Sequence, residues 1–254
     1  MSLIPKSHPR AKSLQIRERL VEGFECGLVA VEGLLAEGRG EAFDYLLGEK
    51  TGRTAKKAIN AAAAQLLLAG NPVISVNGNT AALCAKDVVR LGKAAGAKIE
   101  VNLFYASEKR KQNIVNTLKK NGAGHVLGTD SRNSERLLGT DSARRIVDRD
   151  GIFSADVVVV PLEDGDRTAA LKKAGKKVIT FDLNPMSRTA LAADITIVDN
   201  LTRAVPLLVE SCRNLSGKNA KSLQRIIDSF ENRKNLSDSI LEIKNNLTRR
   251  SRIA

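Results

Sequence analysis

Between Asn71 and Asn200 the chain alternates short, continuously apolar runs with helical stretches. The runs are "PVISVN", "KIEVNLF", "HVLG", "DVVVVPL", "KKVITFDL" and "DITIVDN", and between them lie "TAALCAKDVVRLGKAAG", "SEKRKQNIVNTLKKNG" and "DRTAALKKAG". A strand with one face in water alternates apolar and polar residues; these do not, so both faces must be covered. Helices between such strands supply the cover and return the chain for parallel pairing through right-handed crossovers. The expected fold is α/β: a Rossmann-like doubly wound, mainly parallel sheet, whose ligand crevice lies at the carboxyl ends of the strands.

The flanks read as helical additions to one domain spanning 1–254, with a helical N-terminal part (1–70), the core (71–200) and a helical C-terminal part (201–254). Residues 13–35 suggest an amphipathic helix with Ser13 as N-cap. "AEGRGEAFDYLLGEKT" is expected to interrupt it, because glycines on both sides of Arg39 argue against a helix interior, and 53–69 resume an Ala-rich helix. No apolar run is long enough to span a membrane and the N-terminus lacks a signal-like apolar stretch, so a cytoplasmic location is expected. Cys26, Cys84 and Cys212 are widely spaced, and with only His8 and His125 they form no recognisable zinc pattern, so no structural metal is expected.

Strand ends are where a crevice would find its chemistry. Asn77-Gly78-Asn79-Thr80 leaves one strand for a helix whose free N–H groups suit an anion, or is a plain turn capped by Asn79. "LEDGDRT" gathers Glu163, Asp164 and Asp166. Either Asp164 or Asp166 could face a Mg²⁺ ion, and Asp166 equally suits a helix cap. In "VITFDLNPMSRTALAADITIVDN", Asp182 and Asn184 suit a ribose or base edge, Arg188 a phosphate, and Asp199-Asn200 ends the neighbouring strand. No GxGxxG follows the first strand, which disfavours an NAD enzyme.

"IPKSHPRAKSLQIRERLVEG", "GRGEAFDYLLGEKT", "NPVISVNGNTAAL", "EVNLFYASEKR", "ADVVVVPLEDGDRT" and "DLNPMSRTALAADITIVDN", in this order from Ile4 to about Pro206, resemble the archaeal phosphopantothenate synthetases (4-phosphopantoate–β-alanine ligases). The resemblance implies a homodimer that joins 4-phosphopantoate to β-alanine in coenzyme A biosynthesis, converting ATP with Mg²⁺ to AMP and pyrophosphate. It implies ATP contacts at Arg17, Arg39, Asp182, Leu183, Asn184, Arg188, Thr189, Asn200 and Leu201. On that reading Asn77, Gly78, Asn79 and Thr80 cradle phosphopantoate, with further substrate contacts from His8, Arg10 and Asn102. Mg²⁺ would then travel with ATP.

The excess of 41 basic over 28 acidic residues, +13, calls for anionic partners. Phosphorylated substrates satisfy it. A nucleotide-binding regulator or nucleic-acid-associated protein is the alternative, kept open by the basic stretch 213–254. Nucleic acid is unlikely because aromatics are only 3% of residues, which leaves few surfaces for base stacking.

Overall fold

The computed structural model describes residues 4, 5, 7, 8, 10–139, 142–162 and 165–252. Three helices come first, α1 (Ala11–Glu25), α2 (Val31–Leu47) and α3 (Arg53–Leu68). The core follows as β1 (Pro72–Val76), α4 (Gly78–Ala95), β2 (Lys98–Val101) and α5 (Glu108–Lys120), then a small hairpin of β3 (Ser134–Arg136) and β4 (Ile146–Asp148). It continues through β5 (Val157–Pro161), α6 (Gly165–Lys173), β6 (Lys177–Phe181), α7 (Arg188–Ala192) and β7 (Ile195–Ile197). Helices α8 (Leu201–Leu215), α9 (Ala220–Asp228) and α10 (Asn232–Ser251) end it.

Five strands form one parallel sheet in the order β2-β1-β5-β6-β7. Burial on both faces is visible along β5, where Val157 and Val159 belong to the core under the α1, α3, α4 and α8 layer. Their neighbours Val158 and Val160 pack with Leu171 of α6 and Val147 of the hairpin. The chain builds β1 and β2, then crosses back to lay β5 on the other side of β1. Neighbouring connections therefore leave β1 and β5 in opposite directions, and a crevice opens between them.

Four local readings need correction. The helix expected over 13–35 is two helices, broken at Gly27-Leu28-Val29-Ala30, while Gly38-Arg39-Gly40 lies inside α2. Close packing explains both: a side chain on Gly78 would run into the Leu28 carbonyl, and one on Gly33 into the Asn79 amide, so the chain must turn at 27–30 to bring α2 over α4. Ser13 is inside α1, its hydroxyl donating to the Arg10 carbonyl at 3.2 Å, and so caps nothing. "HVLG" contributes one parallel bridge, Leu127 to Glu100, rather than a strand.

Candidate active site

A cleft of about 620 Å³ lies over the carboxyl ends of the strands with α2 as its other wall. At its centre Asn77 joins the two sides of the switch point. Its Oδ1 accepts from the N–H and hydroxyl of Thr80 at 3.0 and 2.9 Å, capping α4, and its Nδ2 donates to the carbonyls of Pro161 and Leu162 at 2.9 and 3.3 Å. The cap is thus Asn77, not Asn79. Asn79 instead donates to the Gly33 carbonyl at 2.8 Å and ties α2 to α4. The Gly78 and Asn79 N–H groups, on the cleft lining, have no hydrogen-bond partner among the described residues.

At the β6 end, Asp182 accepts from the Asn184 N–H at 2.9 Å and from the Ser187 hydroxyl, and Asn184 Oδ1 accepts from the Met186 N–H at 2.9 Å. These turns follow from Asn and Asp side chains folding back on a loop that Pro185 keeps from extending the strand. Burial pushes the Asp182 carboxyl above the usual carboxylate range, against the Ser187 and Asn184 hydrogen bonds and the nearby Arg39 charge. Arg39 reaches the cleft from α2 and makes no hydrogen bond or ion pair among the described residues. Leu183 is buried against α2 and α10, while Thr189 and the exposed Arg188 open α7 beside it.

At the β7 end, Asn200 caps α8 by accepting from Thr202 and donates to Asp44 at 3.2 Å. Arg203 clamps Asp44 of α2 through two bonds of 2.6 and 3.0 Å and holds Asp199 at 2.6 Å. Thr51 donates to the other Asp199 oxygen at 2.6 Å. Burial raises the Asp199 carboxyl despite these partners. The network fixes α2 over the strand ends and leaves Asn200 and Leu201 on the cleft lining.

Eleven expected residues therefore share one cleft: Arg39, Asn77, Gly78, Asn79, Asp182, Leu183, Asn184, Arg188, Thr189, Asn200 and Leu201. Others stand elsewhere. Arg17 is half-exposed and grips Glu41 through Nε and Nη2 at 2.8 and 2.9 Å; Arg10 donates to the Tyr45 hydroxyl; His8 accepts from the Arg10 N–H. Thr80 is wholly buried beneath the α4 turn. Asn102 is buried at the end of β2, donating to the Ile146 carbonyl at 2.9 Å, with its own Oδ1 unpartnered among the described residues. Asp166 lies in the first turn of α6 rather than capping it, and pairs with Arg188 at 3.0 Å; Asp164 falls outside the described residues. No group of three metal-binding side chains occurs among the described residues.

The cleft also contains residues not anticipated from sequence. Beyond β2, Phe104, Tyr105, Arg110 and Arg144 line its second end, with the Arg144 guanidinium 5.8 Å from the Phe104 ring centre and Arg110 donating to the Tyr105 carbonyl. The signal available was "LFYASEKR", an aromatic pair and basic residues directly after a strand. Glu37 of α2 is the other: it lines the cleft at 9% exposure, and burial, with the charges of Asp44 and Glu41, pushes its carboxyl up to about 7.

Comparison with known proteins places the chain in a family. Residues 54–246 match the family model described as phosphopantothenate/pantothenate synthetase. The chain is 51% identical over 247 residues, 97% of its length and 94% of the relative's, to a 4-phosphopantoate–β-alanine ligase of Thermococcus kodakarensis. It is 52% identical to the protein of that name from Thermococcus onnurineus (98% and 95% covered), and 47% identical to that from Methanosarcina mazei (97% and 96%). With the match running through the helical flanks as well as the strand ends, the chain belongs to the phosphopantothenate/pantothenate synthetase family.

Proposed function

We propose that the chain is an ATP-dependent 4-phosphopantoate–β-alanine ligase that forms phosphopantothenate, AMP and pyrophosphate as a step of coenzyme A biosynthesis in the cytoplasm. One observation carries the reading: a single cleft has cationic groups at both ends, Arg39 and Arg188 over β6, Arg110 and Arg144 beyond β2. Three strand spacings separate those ends, roughly 14 Å. Two phosphorylated substrates laid from opposite ends would meet over Asn77 and Gly78.

ATP is assigned to the β6–β7 end. Asp182 and Asn184 meet the ribose and base, Leu183 and Leu201 supply apolar contact, Thr189 and Asn200 complete the wall, and Arg39 and Arg188 face phosphate. Arg17 is retained on family resemblance and would have to exchange Glu41 for a phosphate. Phosphopantoate is assigned to the β2 end, its carboxylate at the Gly78 and Asn79 N–H groups, where a helix start favours an anion. Asn77 and Thr80 hold that helix start in place, and Asn102 supports the loop carrying Arg144. His8 and Arg10, which stand outside the cleft lining, would have to move toward it to contact substrate.

A carboxylate oxygen is a poor leaving group. Attack of the phosphopantoate carboxylate on the α-phosphate expels pyrophosphate and gives an acyl adenylate, whose acyl carbon the β-alanine amine then attacks. Charge gathers on oxygens throughout, so fixed N–H groups and guanidiniums stabilise each transition state. Mg²⁺, when present with ATP, would add charge neutralisation at the phosphates; Asp164 or Asp166 is its proposed neighbour, and for Asp166 the pair with Arg188 would first have to open. The helical ends and core are read as one domain working in a homodimer.

The test is AMP and pyrophosphate release from ATP with Mg²⁺, 4-phosphopantoate and β-alanine, with the product identified by mass. Release requiring all three substrates is expected. ATP binding without turnover would favour the nucleotide-sensing alternative.

A further inference from the structure

Residues 37, 41 and 44 fall on one face of α2, at i, i+4 and i+7, and all are acidic. Two of the three are held. Glu41 is bound by Arg17 and the Tyr45 hydroxyl, Asp44 by Arg203 and Asn200. Glu37, more than nine-tenths buried, lines the cleft with neither a hydrogen bond nor an ion pair among the described residues. A carboxylate in a site that collects phosphates opposes their binding, and a buried one without a partner is costly. It is suited to a cationic group, and one substrate of the proposed reaction brings one: β-alanine arrives as a zwitterion whose amine is an ammonium.

We infer that Glu37 receives the ammonium of the amine substrate and takes its proton, so that a free amine faces the acyl adenylate. The inference rests on the ligase reading. Position agrees with it: Asn79 donates to the carbonyl of Gly33, one helical turn before Glu37 on the same face. Glu37 therefore hangs over the α4 start, where the acyl group is placed.

The proton account closes. The ammonium gives one proton to Glu37, and the amine lone pair forms the C–N bond. The acyl C–O bond breaks with its electron pair leaving on AMP, a second proton goes from nitrogen to solvent as the amide forms, and Glu37 returns its proton to water.

The charges acting on Glu37 are Glu41 and Asp44 on its own helix, and the titratable group facing it from α4 is the buried Cys84 thiol, which burial pushes up to about 12 and keeps neutral. Arg19 of α1 is committed to the Leu83 carbonyl. With the carboxyl at about 7, Glu37 stands where a general base works best near neutral pH. The exposed Glu32 also lines the cleft but is solvated, which makes it the control.

The test separates the two halves of the reaction in the full-length protein. Phosphopantoate-dependent exchange of pyrophosphate into ATP reads adenylation, and β-alanine-dependent AMP release reads amide formation. Glu37→Gln should slow amide formation at pH 7 by about 10²- to 10⁴-fold, the usual worth of a general base. Exchange should fall at least about tenfold less than that. The variant's amidation should keep rising about tenfold per pH unit, as free amine accumulates in solution, where the wild type levels off. Hydroxylamine, already unprotonated at neutral pH, should recover most of the lost acyl transfer.

Equal loss in both halves, an unchanged pH profile, or the same defect in Glu32→Gln but not Glu37→Gln would overturn the assignment. Absence of exchange in the wild-type protein would instead bring down the ligase reading, and this inference with it. Gln preserves volume and removes a buried charge, so the variant should fold at least as well, as thermal unfolding would report.

Discussion

At the scale of single residues, Asn77 does two jobs with one amide. Its oxygen caps α4 and its nitrogen holds two carbonyls at the end of β5. Asn77→Asp keeps the acceptor and loses the donor, whereas Asn77→Ala loses both. Losing a cap alone costs about 1 kcal/mol, so urea unfolding should rank wild type above Asp and Asp above Ala on the cap. An Asp variant as unstable as the Ala variant would mean that the oxygen contributes little. The pair Asn77 and Asn79 also shows where sequence stops being informative. "NGN" after a strand announces a helix start, but the two amides diverge through one turn of backbone, and which becomes the cap depends on Leu28 and Gly33 lying some fifty residues earlier. Asp182, Asn184 and Asn200 were legible because a polar residue closing an apolar run has few alternatives to a strand end. Glu37 was not legible, since an acidic residue in a helix is ordinarily solvated and only the packing of α2 over α4 buries it.

At the scale of elements, α2 is the part least readable from its own residues. Three glycines among ten residues disfavour a helix by about 1 kcal/mol each, and tertiary contact overrides that. Their roles differ. Gly33 faces Asn79 and Gly40 faces Leu183 Cδ1 at 3.3 Å, while nothing stands within 4 Å of a Cβ placed on Gly38. Gly38→Ala should therefore raise stability by about 0.5–1 kcal/mol, and Gly33→Ala should lower it, because the added methyl displaces the Asn79 amide. Thermal midpoints of the two variants check this, and equal effects would show that α2 is not held as described. The five sheet strands were read correctly for the opposite reason, that continuous burial leaves a pattern in the chain itself; "HVLG" was over-read as a sixth, and the hairpin strands are three residues each and too short to stand out.

At the scale of the whole molecule, Glu37 on α2 and Glu100 on β2 both have carboxyls pushed up to about 7 by burial, from an ordinary 4.5. Glu100 accepts from the N–H groups of Asp148 and Ile152 at 3.1 and 2.6 Å, which only partly offsets its burial. Because the folded values are raised, the folded state keeps protons that the unfolded chain releases. Their stabilising contribution is complete below about pH 4.5 and is lost as pH rises through about 7. The urea midpoint should accordingly be lower at pH 8 than at pH 5.5, and Glu37→Gln should narrow the gap; an equal gap in the variant would contradict the buried state of Glu37.

The sheet of this molecule has no open side among its described residues. On β7, Asn232 accepts from the Thr196 N–H at 2.8 Å and donates to the Ala190 and Ala193 carbonyls, standing where a sixth strand would pair. On β2, the Leu127 segment exchanges bonds with Ile99 and Val101. Pairing of a second copy onto the sheet is obstructed at these positions, and the exposed large apolar residues stand instead on helices, Phe24, Val31 and Leu35 on the N-terminal helices and Ile240, Leu241 and Leu247 on α10. Two of these belong to α2, the wall of the cleft. A partner seated there would meet the helix that carries Glu37 and Arg39, with Leu35 one turn before Arg39 on the same face, so assembly and the shape of the cleft would be read by the same few turns of backbone.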